Sequence, residues 1–122
     1  MAGQLTIDTL SAGSGVLATQ NGMTGIPKAW INYNGATQSI ISSFNVSSVT
    51  YSSSGIYTVT MTTAMPNANY AILCTSQAGA TNTVSCYVNN SFTKTTTAFS
   101  IVQTYSTGAA FDTVAYAAVF SS

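Results

Sequence analysis

The chain has 122 residues, 46% of them hydrophobic, and its charged side chains are two aspartates, Asp8 and Asp112, and two lysines, Lys28 and Lys94. With no Glu, Arg or His, it lacks the groups that carry most general acid–base chemistry, the clustered cations that grip nucleic-acid phosphates and the donor sets that hold most metals. Catalysis, a bound cofactor or metal and nucleic-acid binding are therefore not expected, and zero net charge suits a surface that spends its life against other subunits.

Residues 1–25 read as an N-terminal arm or linker for attachment or assembly, and residues 26–122 as one knob domain. The arm opens on a short alternation. Leu5, Ile7 and Thr9 point one way, and Thr6, Asp8 and Leu10 the other. A Gly/Ser/Ala-rich stretch over 11–18 and the turn-forming residues 20–25 follow, which is hinge chemistry. Leu5, Ile7 and Leu10 are thus the arm residues expected to dock on a neighbour. The start shows no basic n-region and no apolar h-region, so synthesis in a cytosol is expected. No apolar run is long enough for a membrane-spanning helix, and membrane insertion is not expected.

From Ile26 the pattern predicts strands. Residues 28–33 form one, ending at the turn Asn34-Gly35, and residues 43–50 a second. Over 55–62, Tyr57, Val59 and Met61 alternate with Thr58, Thr60 and Thr62, the mark of a strand with one face buried. Residues 68–75, 84–88, 97–104 and 112–120 complete the set, and no helical stripe persists. This predicts an all-β fold, an antiparallel β-sandwich or jelly-roll-like knob with an extended N-terminal arm. The last strand is apolar on both faces. Val114, Tyr116, Ala118 and Phe120 oppose Ala115, Ala117 and Val119, so the strand is either central or at a subunit interface. Val114, Ala115, Tyr116, Ala117 and Val119 are its candidate oligomer-interface residues.

Trp30 with Tyr33 could make an aromatic platform for sugar, but a lone Trp in such a strand is expected to fill the core. Tyr51 and Tyr105 fall in predicted loops and are the candidate exposed contacts. Cys74 and Cys86 flank a predicted turn centred on Ala80. A symmetric hairpin would set them opposite each other within disulfide reach, yet cytosolic synthesis favours two free thiols acting as small hydrophobes. The glycosylation-like triplets at Asn45 and Asn89 are expected to be chance. No His stands ready to activate a Ser or Thr, so no catalytic residue is assigned.

One long segment carries a resemblance. Residues 26–35 read IPKAWINYNG, residues 44–50 FNVSSVT and residues 55–70 GIYTVTMTTAMPNANY. Together they resemble a module of small tailed-bacteriophage virion structural proteins, of the fibre or spike-tip type, including those of marine and cyanobacterial phages. The match covers about residues 26–70, and the leader over 20–25 is similar to the linker preceding such modules. The resemblance implies a β-sandwich-like knob, usually a homotrimer, displayed on the virion exterior beside other virion proteins and within reach of a host-surface glycan or receptor. It brings no catalytic residues. The expected role is therefore a non-enzymatic virion structural protein on a fibre or spike. The alternatives are a capsid decoration or cement protein and a standalone carbohydrate-binding module.

Overall fold

A computed structural model describes residues 26–79 and 81–121, together with the isolated Gly3. The expected docking residues of the arm, Leu5, Ile7 and Leu10, lie outside the described residues. Among the described residues there are eight strands and no helix: β1 Ala29–Asn34, β2 Ser39–Phe44, β3 Val46–Ser53, β4 Ile56–Met61, β5 Ala71–Ser76, β6 Val84–Val88, β7 Ala98–Tyr105 and β8 Val114–Phe120. They form two antiparallel four-stranded sheets. Sheet A has the order β2-β1-β8-β5 and sheet B the order β3-β4-β7-β6. The chain is an all-β sandwich, as its strand pattern predicts.

Alternation builds the core. Ala29, Ile31 and Tyr33 of β1 and Ala115, Ala117 and Val119 of β8 face Tyr57, Val59 and Met61 of β4 and Phe99 and Ile101 of β7. Tyr33 meets Tyr57 edge-on at 5.1 Å between ring centroids, and Tyr70 meets Phe99 at 6.5 Å. Ala115, Ala117 and Val119 are therefore core residues of the single chain and unavailable to a partner, which corrects their assignment to an oligomer interface. β8 is central in sheet A, between β1 and β5, and its other apolar residues, Tyr116 and Ala118 among them, lie on the outer face of that sheet. The fully buried Gln103 of β7 ties the sheets together. Its Nε2 donates to Ser76 Oγ at 2.7 Å and Val114 O at 3.3 Å, and its Oε1 accepts from Thr113 N–H at 3.3 Å.

The stretch read as one strand over 43–50 is in fact the end of β2 and the start of β3, in different sheets. Asn45 makes the break. Its φ of 55° lies in the left-handed region, which Asn tolerates better than most residues. Its Nδ2 donates to Lys28 O at 2.9 Å and Thr63 O at 3.2 Å, and its Oδ1 accepts from Thr63 N–H at 2.7 Å. One side chain thus clips the corner where the chain changes sheets. The β3–β4 turn depends on Gly55, with φ 73°, where a Cβ would sit 2.4 Å from Gln103 O. At Gly35 a Cβ would collide with the Tyr57 hydroxyl, so glycine there leaves room for that ring.

Cys74 and Cys86 do not face each other across a hairpin ladder. β5 belongs to sheet A and β6 to sheet B, and the link between them turns the edge of the sandwich. Both cysteines are half-buried free thiols packed against the core.

Candidate functional site

The outer face of sheet A is assembled by strand register. Residues directly opposite in adjacent antiparallel strands share a face. One row across the sheet runs Phe44, Trp30, Ala118, Leu73, and the next Ser42, Asn32, Tyr116, Thr75. In the first row the small Ala118 stands between two large neighbours, so the middle of the sheet is low and its flanks high. The result is an open groove of about 520 Å³ whose lining includes Trp30, Leu73, Tyr116, Asn32 and Thr75. Leu73 is 60% exposed, Trp30 40% and Tyr116 39%. Asn32 Oδ1 is buried at the groove and has no hydrogen-bond donor among the described residues. Ile41, the unpaired residue where β2 bulges against β1, extends the exposed apolar surface toward the sheet edge.

A second hollow of about 210 Å³ adjoins the groove, lined by Ile26, Pro27, Trp30 and Phe44. Ile26, the first residue of the described knob, therefore stands at the rim of this same face.

Trp30 was expected in the core. It points outward instead, because Ala29, Ile31 and Tyr33 take the inner face of β1. Tyr116 and Val114, on the outer side of β8, are the members of the expected interface set that turn away from the core. Tyr51 and Tyr105 are not the exposed contacts they were expected to be. Both are half-buried and lie in strands, Tyr51 bonded to Asp112 and Tyr105 stacked on Phe111 at 4.2 Å. Trp30, Tyr116 and, on β6, Tyr87 are the exposed large aromatics.

The charges of the described fold are held away from both outer faces. Lys28 is buried, and Lys94 Nζ donates to Tyr70 O at 2.6 Å while lying 4.4 Å from the Tyr70 ring centroid. Asp112, just before β8, accepts hydrogen bonds from the Tyr57 hydroxyl, from Gly55 N–H at 2.7 Å, from the Tyr51 hydroxyl at 3.0 Å and from Ser54 Oγ at 3.1 Å. Partial burial opposes its ionisation, but the donors from Tyr57, Gly55, Tyr51 and Ser54 outweigh this and hold its pKa below the usual carboxylate value. Burial first, then the Asp112 charge and hydrogen bond, push the Tyr57 hydroxyl far above its ordinary value. The cluster is a structural anchor between the β3–β4 turn and the start of β8. Among the described residues no three His, Cys, Asp or Glu side chains gather into a metal-binding group.

The groove suits an apolar occupant better than a sugar. Its walls are mainly aromatic and aliphatic, with Asn32, Thr75, the Tyr116 hydroxyl and the Trp30 indole N–H as its hydrogen-bonding side-chain groups, and no charged group lines it. No protein-family model, curated protein or solved structure matches the chain.

Proposed function

We propose that this chain is a non-enzymatic virion structural protein of a tailed bacteriophage, a homotrimeric β-knob that presents the outer face of sheet A to its own copies. The observation that carries the assembly is this uncharged apolar face, with Trp30, Leu73 and Tyr116 exposed on it. A second copy is the fitting occupant. The groove selects for an uncharged apolar surface, and around a three-fold axis the sheet A faces of neighbouring copies converge, one part of each face against a different part of the next. The phage setting rests on the resemblance over residues 26–70.

The size of the face adds a requirement. Four strands spaced by about 4.8 Å and six residues rising about 3.4 Å each give a patch of roughly 20 by 20 Å. In projection that is on the order of 400 Å², against roughly 800 Å² per partner in a stable interface. The remainder falls to the arm over residues 1–25, through Leu5, Ile7 and Leu10 on a neighbouring chain, and the position of Ile26 beside Trp30 and Phe44 supports this reading.

Light scattering on the purified chain is expected to report a trimer, and a dilution-resistant monomer would overturn the reading. Densitometry of virion proteins then locates it: tens of copies place the knob on a fibre or spike, and hundreds make it a capsid decoration protein.

A further inference from the structure

The edge of the sandwich formed by β5 and β6 carries chemistry that assembly does not use. Cys74 lies on β5 opposite Ala117, and Cys86 on β6 opposite Gln103, so the two thiols belong to different sheets. Both pack against the same core cluster, at the edge where β5 and β6 run in contact. A second contact fixes the alignment. Gln103, the ladder partner of Cys86, reaches across to Ser76, two residues from Cys74, with its Nε2 donating to Ser76 Oγ at 2.7 Å. β5 and β6 are edge strands, each bound to a sheet neighbour on one side and free to adjust on the other, as closing a sulfur–sulfur bond of about 2 Å requires.

We propose that Cys74 and Cys86 are a reversible dithiol that closes into an inter-sheet disulfide when the protein meets a low-molecular-weight disulfide such as oxidised glutathione. Cys74 is the attacking thiol. The hydrogen bond from Cys86 outweighs the effect of burial and lowers the Cys74 pKa, while the same contact and burial raise that of Cys86. The Cys74 thiolate attacks one glutathione sulfur, the glutathione S–S bond breaks, and a glutathione thiolate leaves. Cys86 then gives up its proton and attacks the Cys74 sulfur of the mixed disulfide, expelling the second glutathione thiolate. The two protein thiols are oxidised by two electrons and lose two hydrogens, and one glutathione disulfide becomes two glutathione thiols. The reaction is independent of the virion setting, since it needs only the folded chain and the oxidant.

The test is incubation of the full chain with excess oxidised glutathione, followed by intact mass, iodoacetamide labelling and chymotryptic mapping. The expected product is an uncrosslinked chain lighter by two hydrogens and inert to iodoacetamide, with a peptide joining Cys74 to Cys86. Dithiothreitol restores both thiols. Closing this short loop is expected to raise the thermal midpoint by roughly 10 °C. The Cys86→Ser variant is expected to stop at a single glutathione adduct on Cys74. Wild-type protein that keeps both thiols free, carries glutathione on each cysteine or crosslinks between chains would overturn the proposal.

Discussion

The two sheets share one core and have the same number of strands, yet their outer faces are opposites. Sheet A shows Phe44, Trp30, Leu73 and Tyr116 around a groove. Sheet B shows Ser48, Thr50, Thr58, Thr60, Ser85 and Thr104, a layer in which hydroxyls predominate, crossed by the single row Ile56, Val102 and Tyr87. Neither face carries a described charge, so charge does not set which side meets water. The difference lies in the residues that alternate with the core positions. In β4 every second residue is a threonine or Ile56, whereas in β1 and β8 it is Trp30, Asn32, Tyr116 or Ala118. A hydroxylated sheet is satisfied by water on its own. An apolar one loses free energy until something covers it.

Substitutions on neighbouring residues can break this contrast. Ala117→Asp puts a charge into the core side of β8 and is expected to cost on the order of 3 kcal/mol or more, abolishing the folded state in a denaturant titration. Asp112→Asn keeps the shape but weakens the anchor of the β3–β4 turn. A loss of about 2 kcal/mol is expected, below the sum of four charge-assisted bonds because Ser54 and Tyr51 lie near solvent, and assembly should persist. Leu73→Asp on the outer face of sheet A should leave monomer stability within about 0.5 kcal/mol but convert the proposed trimer to monomer in light scattering. Thr50→Asp on sheet B should change neither stability nor assembly measurably, and a loss of the proposed trimer there would show the interface to lie on sheet B.

The pH profile sharpens the same picture from inside. The folded pKa of Asp112 is depressed, so its stabilisation is complete above the unfolded carboxylate value of about 3.9 and is lost as pH falls below it. Burial raises Tyr70 to about 12. The raised tyrosines contribute stability that is full below about pH 10 and is lost as pH climbs further. With no His and no Glu, the cysteines are the described side chains left to titrate between these limits, and Asp112→Asn should flatten the acid limb without altering the alkaline one.

Where one face was polar, the pattern was readable. β4 could be placed to within a residue because Tyr57, Val59 and Met61 contrast with the threonines between them. β1 and β8 offered no such contrast. Either set of alternate residues could have been the buried one, and the larger Trp30 was assigned to the core that Ala29, Ile31 and Tyr33 occupy. β2 was hidden because the bulge at Ile41 disrupts its period and Asn45 joins it to β3 without a Gly or Pro to mark the corner. The symmetry of Cys74 and Cys86 about residue 80 was visible, but not that the turn between them changes sheets. The Asp112 anchor joins residues more than fifty positions apart, which no local pattern reports.

The position of β8 has a consequence for the order of events during synthesis. It is the last of the eight strands to be made, yet it lies in the middle of sheet A, and β1 and β5 are joined only through it. Before β8 emerges, the β1–β2 hairpin can form, and β3, β4, β7 and β6 can complete sheet B. Sheet A must wait, with the inner faces of β1 and β5 uncovered, until β8 follows. The groove bearing Trp30 and Leu73 also gains its floor, Ala118, and Tyr116 only at that moment. A subunit that assembles through this face cannot begin to do so on a half-made chain.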